Sequence, residues 1–295
     1  MLGALEARKL YQIDNECLYF AFLSGAQELM KHKKDLNTIN VFPVADGDTG
    51  TNLAITMNGI LKSANLHLDI RETFQNVAEA ALWSARGNSG TIFAQFVSGI
   101  ARELPERKMM TLDELTVSLK SGVQAAYESI ENPVEGTIIS VMRDWSEAID
   151  EARVNSDEIV RVFSEALHEA VKSLNRTPEK LAVLKERGVV DSGAKGFVIF
   201  LHGFMRYLQI GDYDEYFVTE EEIVWDEAFQ NAHDSIQQDI TYRYCTEAIL
   251  EGKNVDLNEL KQDMRIFGDS LVVAGTNEKV KLHIHTNEPA KCFHK

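Results

Sequence analysis

Asn40-Val-Phe-Pro-Val-Ala-Asp46-Gly-Asp48-Thr-Gly-Thr-Asn52 sets two carboxylates one glycine apart and runs straight into an apolar helical pattern. Hard oxygen ligands therefore stand beside the unpaired N–H groups of a helix start. Magnesium keeps several waters and takes one or two carboxylates plus phosphate oxygens, and a helix N-terminus offers donors and about half a positive charge. The pair of features suits a metal-bound polyphosphate. A lone Asp-Gly turn with an N-cap accounts for the same residues by turn chemistry alone, so the reading depends on whether similar turns recur.

They do recur, in a regular place. Apolar residues at helical spacing predict eight helices over about residues 14–31, 51–66, 70–84, 90–103, 111–130, 136–152, 156–174 and 194–209. The connections are short, which makes sequential neighbours antiparallel. Turns rich in small residues precede the second helix (Asp48 to Asn52), the fourth (Arg86 to Thr91), the sixth (Asn132 to Thr137) and the eighth (Val190 to Gly196). In an up-and-down arrangement even-numbered helices start at one end, so all four turns converge on one mouth with the two aspartates. Each turn alone is ordinary loop and cap chemistry; their agreement in parity points to a nucleotide-phosphate site. Neither a Walker A pattern nor a dinucleotide fingerprint is present.

Composition narrows the class. The chain has 295 residues, 44% hydrophobic and 26% charged, with a formal net charge of -16, which fits a globular protein. Without a run of Lys or Arg it is not expected to bind nucleic acid through phosphate contacts. Three cysteines, Cys17, Cys245 and Cys292, are too few and scattered for a disulfide framework. The N-terminus lacks the apolar core of a signal peptide and no run reaches membrane-spanning length, so the expected location is the cytoplasm. His32, His67, His168 and His202 sit singly in helical patterns and read as ordinary surface or core histidines.

The composition changes after residue 210, dividing the chain into an expected helical domain at 1–210 and a small α/β domain at 211–295. The acidic, aromatic stretch 211–227 reads as a connector. Beyond it, 241–250, 271–274 and 280–286 read as strands and 256–265 as a helix begun by Asp256. In Lys281-Leu-His-Ile-His-Thr286 the two histidines project from one face of a strand. Cys245, on another strand, can meet them. Two imidazoles and a thiolate suit zinc, with Cys292, Glu247 or water as fourth ligand; an H-x-H pair by itself is more often a surface feature, and with Cys245 the two readings stand about even.

The stretches Asn40 to Leu53, Ala85-Arg-Gly-Asn-Ser-Gly90, Pro133-Val-Glu-Gly-Thr137-Ile and Gly188-Val-Val-Asp-Ser-Gly193 resemble the ATP-binding domain of dihydroxyacetone kinases. More closely, they are similar to its version in the FakA component of fatty acid kinases, over about residues 10–290. That resemblance implies an eight-helix antiparallel up-and-down barrel holding ATP through two magnesium ions, followed by a small α/β domain with zinc. By matching positions, Asp46 and Asp48 would be the catalytic metal ligands. Asn40, standing near a third aspartate of the dihydroxyacetone kinases, ranks below them. Thr49, Gly50, Thr51, Asn52, Asn88, Ser89 and Gly90 would cradle phosphates, Gly136 and Thr137 would border the nucleotide, and Asp191, Ser192 and Gly193 would close over it. Cys245, His283 and His285 are implied zinc ligands.

The resemblance further implies a fatty acid acceptor presented by a separate fatty-acid-binding subunit (FakB), an acyl phosphate product, and a homodimer. A carboxylic acid is already ionised at neutral pH and needs no general base, in keeping with the lack of a catalytic histidine pattern in the helical half. The chain is expected to stop early relative to that family, without a third domain. Two other readings remain: the ATP-binding part of a kinase for a small hydroxylated compound such as dihydroxyacetone, and a nucleotide- and zinc-binding regulatory protein without turnover.

Overall fold

Amphipathic helices bury one face by packing side by side, and the described residues do this with eight long helices. A computed structural model describes residues 8–213 and 241–293; the acidic stretch read as a connector lies for the most part outside the described residues. The long helices are α1 (Asn15–Lys31), α3 (Thr49–Ser63), α4 (Ile70–Ser84), α5 (Gly87–Glu103), α6 (Leu112–Ser129), α7 (Ile138–Ala152), α8 (Ile159–Asn175) and α11 (Ser192–Ile210). Short helices α2 (Lys33–Thr38), α9 (Thr177–Lys180) and α10 (Ala182–Arg187) fill connections. Strands β1 (Gln12–Asp14) and β2 (Met109–Thr111) form a two-stranded antiparallel pair that the periodicity does not announce.

Each long helix packs on the next, and α11 packs back against α1. The space so enclosed is filled with aromatic rings. Phe22, Phe93, Phe197, Phe200, Phe204, Phe163 and Trp145 meet largely edge to face or stacked, arrangements worth about 0.5–1.5 kcal/mol per pair beyond burial. Gly203 of α11 and Gly25 of α1 let the first and last long helices approach closely: a Cβ on Gly203 would lie 2.5 Å from the Ser24 carbonyl oxygen and 2.9 Å from Gly25 Cα.

The helix starts divide into two kinds. At one end Asp14, Asp69, Thr111 and Glu158 each cap their helix with a side-chain oxygen, Thr111 in a full capping box with Glu114. At the other, the residues in the N-cap positions of α3, α5 and α7 (Asp48, Arg86 and Thr137) make no side-chain cap hydrogen bond. An N-cap of the right type normally satisfies one of the four orphan N–H groups of a helix start; at these three starts the cap positions leave that work to other groups, whereas Asp191 caps α11 at the same end.

The C-terminal part is a three-stranded antiparallel sheet, β3 (Tyr244–Glu251), β4 (Gly268–Gly275) and β5 (Lys279–Thr286), in the order β3-β5-β4, with α12 (Leu257–Met264) on it. Asp256 caps α12 through the N–H groups of Asn258 and Glu259. Its core of Met264, Leu271, Val273, Val280, Leu282, Ile284 and Cys292 is separate from the helical one. The sheet lies against α5: Gly275 N–H donates to Gln95 Oε1 at 3.0 Å, and Lys279 reaches Glu79 at 2.7 Å while lying over the Trp83 ring. Ile130 bridges Val272, and Arg265 pairs with Glu131.

Candidate functional site

The uncapped helix starts border two adjoining cavities. The first, about 500 Å³, is lined on the helical side by Asp46, Asp48, Asn52 and Arg86 to Ser89, and on the sheet side by Cys245, Glu247, His283 and His285. The second, about 440 Å³, shares Phe42, Pro43, Asn88 and Ser89 with the first and continues past Thr137, Ile138 and Asp191 beneath residues 268–272. The turn at Asp191 meets the one at Arg86: a Cβ on Gly193 would stand 3.0 Å from Ser89 Oγ. All four sequence-predicted turns therefore come together.

Asp46 and Asp48 line the first cavity, close enough for their carboxyl groups to interact. Burial, then the Asp48 charge, pushes the Asp46 carboxyl up to about 7. Two carboxylates in contact favour sharing a proton or a cation, so this donor set fits a hard divalent metal. Asn40 holds the loop that carries them. Its Oδ1 accepts from the N–H groups of Asp48 and Thr49, both at 3.0 Å, and its Nδ2 donates to the carbonyls of Phe42 and Val44. Both acceptor positions of the carboxamide oxygen are thereby used, which argues against Asn40 as a third metal ligand.

The first turn of α3 is not an open cradle. Asn40 takes the Thr49 N–H, and Asn37 Oδ1 takes the Thr51 N–H at 3.0 Å while its Nδ2 donates to Thr51 Oγ1. Gly50 is packed so tightly on α2 that a Cβ would lie 2.1 Å from the Lys33 carbonyl oxygen. Of this turn's expected phosphate contacts, Thr49 and Asn52 line the cavity. The α5 turn differs: Asn88 and Ser89 face both cavities, and Asn88 Oδ1 is buried with no partner among the described residues. Gly90 sits one turn deeper, against Thr56.

Of the residues expected near the nucleotide, Thr137 and Asp191 line the second cavity, and Gly136 and Ser192 face elsewhere. Gly136, at φ +87°, backs onto α9, where a Cβ would stand 2.7 Å from Lys180 Cβ. Ser192 Oγ donates to the Leu36 carbonyl at 2.7 Å. Asp191 caps α11 through Ala194 N–H at 2.8 Å and also accepts from Ile138 N–H. Its burial, opposed by those two N–H groups, pushes its carboxyl up to about 6.

On the opposite wall, β3 and β5 pair so that Cys245 faces His285 and Glu247 faces His283. Cys245, His283 and His285 bring one ligand atom each within 4.8 Å of one another. His283 is buried; its Nδ1 lies 3.3 Å from Glu247 Oε1 and 3.8 Å from Cys245 Sγ, and its Nε2 is buried without a partner among the described residues. Part of Cys245 is open to solvent, yet its thiol is recessed, and burial with the charges of Glu247, Asp48 and Asp46 pushes it up to about 12. A thiol so placed is protonated unless a cation offsets those charges. Cys292 does not join them. It is buried in the sheet core, its Sγ 3.9 Å from the Glu288 carbonyl, so the expectation of Cys292 as a fourth ligand is corrected.

Three features escape the sequence reading: Asn37 as the partner of the α3 turn, the 268–272 roof of the second cavity, and the placement of the Cys-His group in the same cavity as the aspartates. The first has a local signal, a second asparagine three residues before Asn40. The others depend on how the sheet docks on α5, which no periodicity encodes.

Comparison with known proteins agrees with this architecture. Residues 43–206 match the DAK2 domain, and residues 241–295 match the FakA-like middle domain of fatty acid kinases. An uncharacterized protein of Staphylococcus saprophyticus is 38% identical over 291 residues, covering 96% of this chain and 52% of the relative. One of Staphylococcus aureus strain USA300 is 39% identical over 281 residues, covering 92% and 51%. The chain thus spans about half the length of the curated relatives it matches. Among solved structures, the dihydroxyacetone kinase from C. freundii in complex with AMP-PNP and Mg2+ aligns with a TM-score of 0.50 at 17% identity, over 70% of this chain and 36% of that one, a likeness of fold. Among the described residues no helix is long and apolar enough to cross a membrane. With more than half its length matched by one domain and its C-terminal segment by the other, the chain belongs to the DAK2 domain family and carries a FakA-like middle domain.

Proposed function

We propose that this chain is the ATP-binding part of a kinase that transfers the γ-phosphate of ATP to the carboxylate of a fatty acid presented by a separate fatty-acid-binding subunit. The observation that carries it is the Asp46–Asp48 pair, pressed together in a cavity whose far side is the open start of α5. The ring of helix contacts, closed by α11 on α1, supports the antiparallel eight-helix barrel in which such starts gather. The two separate cores support a helical domain at 1–210 and a small α/β domain at 211–295.

In this reading Asp46 and Asp48 would hold two magnesium ions, whose charge would offset that of the phosphates. The N–H groups of Asn88 and Ser89 donate to phosphate oxygens, and Arg86 adds charge at the cavity edge. The ribose and base extend into the second cavity, past Thr137 and Asp191, against Leu271 and Val272. A carboxylate oxygen of the acceptor forms the new bond to the γ-phosphorus as the bond to the β-phosphate oxygen breaks, giving acyl phosphate and ADP. No proton has to be removed from the acceptor, so no general base is required. The Cys245, His283 and His285 group would hold zinc, and the chain works as a homodimer together with the fatty-acid-binding subunit.

The test supplies Mg·ATP with either a lipid-loaded fatty-acid-binding subunit or dihydroxyacetone on its own binding subunit. Trapping of acyl phosphate as the hydroxamate supports the proposal. Dihydroxyacetone phosphate instead would assign the chain to the small-molecule class, and tight Mg·ATP binding with neither product would support a regulatory role.

A further inference from the structure

Glu247 is the residue where the two halves of the site meet. It projects from β3 with its side chain only 13% exposed, and both its oxygens are fully engaged. Oε1 accepts the backbone N–H of Gly87 at 2.8 Å and faces His283 Nδ1 at 3.3 Å. Oε2 accepts from Arg86 Nη1 at 2.7 Å and from the buried Lys281 Nζ at 3.1 Å.

Two consequences follow from that geometry. Glu247 caps α5 from outside, satisfying the Gly87 N–H that Arg86 leaves open, so the next two residues, Asn88 and Ser89, line both cavities from a turn whose position the sheet helps set. The same carboxylate lies 3.3 Å from Nδ1 of His283, the ring nitrogen that also stands 3.8 Å from Cys245 Sγ, so Glu247 touches the Cys-His group directly. A metal at the Cys-His group and an anion at the α5 start therefore act on opposite sides of one side chain.

Resting on the kinase reading above, we infer that Glu247 is a positioning residue that couples the Cys245–His283–His285 group to the α5 phosphate turn, so that Zn2+ at the first and magnesium nucleotide at the second strengthen each other's binding. A carboxylate held against a metal-bound imidazole keeps that imidazole's orientation, and fixing the carboxylate fixes Gly87. By linkage the two affinities rise by the same factor.

The experiment measures Mg·AMP-PNP affinity by calorimetry for the chain with Zn2+ bound and after chelation, with zinc content read by metal analysis. In the unsubstituted protein zinc tightens nucleotide binding about tenfold, within the usual range for coupled sites. Glu247→Gln, which keeps the shape and one acceptor but not the charge, binds nucleotide with the same affinity in both states and takes up zinc about tenfold more weakly. Cys245→Ser, which leaves Glu247 and its four donors in place, reproduces the chelated affinity without chelation and guards against a folding defect in the first variant. Equal nucleotide affinity with and without zinc in the unsubstituted protein, no zinc uptake at all, or undiminished coupling in Glu247→Gln overturns the inference. None of these touches the kinase reading, which fails on a separate result, the absence of any Mg·AMP-PNP binding.

Discussion

Glu247 Oε1 accepts a hydrogen bond from the Gly87 backbone N–H at 2.8 Å, across 160 residues of sequence. Arg86, next to that glycine, closes the contact with an ion pair to the same carboxylate at 2.7 Å. The Arg86 side chain is half exposed, so its ion pair is worth under about 1 kcal/mol of stability. Arg86→Ala is accordingly expected to move the urea midpoint little. Its guanidinium also lines the first cavity, so Mg·ATP affinity should fall about tenfold, the size of one charge-assisted contact. Calorimetry and a denaturation curve on the same sample separate the two effects.

Asn40 replaces local secondary structure in the loop that carries the aspartates. Asn40→Ala deletes two accepted hydrogen bonds at 3.0 Å and two weaker donated ones, a loss of about 2 kcal/mol at roughly 1 kcal/mol for each strong bond. Asn40→Asp keeps the acceptor and should recover part of it. Equilibrium urea unfolding of the three proteins checks the order.

Close helix packing at α1 and α11 has no room for a methyl group. Gly203→Ala would drive a Cβ against backbone atoms of Ser24 and Gly25, and overpacking of this kind costs about 1–3 kcal/mol. Gly188 closes α10 in the left-handed region at φ +66° with nothing within 4 Å of an added Cβ. Gly188→Asn should cost much less, since asparagine tolerates that conformation. Thermal melting of the two variants gives the comparison.

Asp191 supplies a pH dependence of known sign. Its folded-state carboxyl titrates at about 6, raised from 3.8 by burial, so the folded protein binds this proton more tightly than the unfolded chain. The stabilisation is complete below about pH 3.8 and is lost as pH rises through about 6. Asp191→Asn removes that slope. The stability difference between the unsubstituted protein and the variant should therefore shift by on the order of 3 kcal/mol against the unsubstituted protein between pH 4 and pH 7. Urea unfolding across that range reads it directly.

The helical half is legible because its information is periodic. The eight expected helices match the long helices to within a few residues, and the sheet strands and Asp256-capped helix follow their alternation and cap signals. Parity alone places the four turns together, and the cavities contain residues from each. What the pattern does not resolve is the setting of individual residues. Asn40 falls beside the metal ligands because of its neighbours, whereas a carboxamide with both a donor and an acceptor serves a loop better. Gly136 and Ser192 group with the nucleotide because they sit in the right turns, yet tertiary packing backs Gly136 onto α9 and turns the Ser192 hydroxyl to the Leu36 carbonyl of α2. Glu247 reads from spacing as a spare zinc ligand; its contacts to Arg86 and Gly87 arise from docking between distant segments, which spacing along the chain does not record.

The central claim is that Asp46 and Asp48 hold the metal that brings a triphosphate to the start of α5. Calorimetric titration of the chain with ATP, with and without Mg2+, and again in Asp48→Asn tests it most directly. The account predicts saturable binding of one ATP per chain that requires Mg2+ and disappears in the variant, whose circular dichroism stays unchanged. Binding that is indifferent to Mg2+, or equally tight in Asp48→Asn, would contradict it.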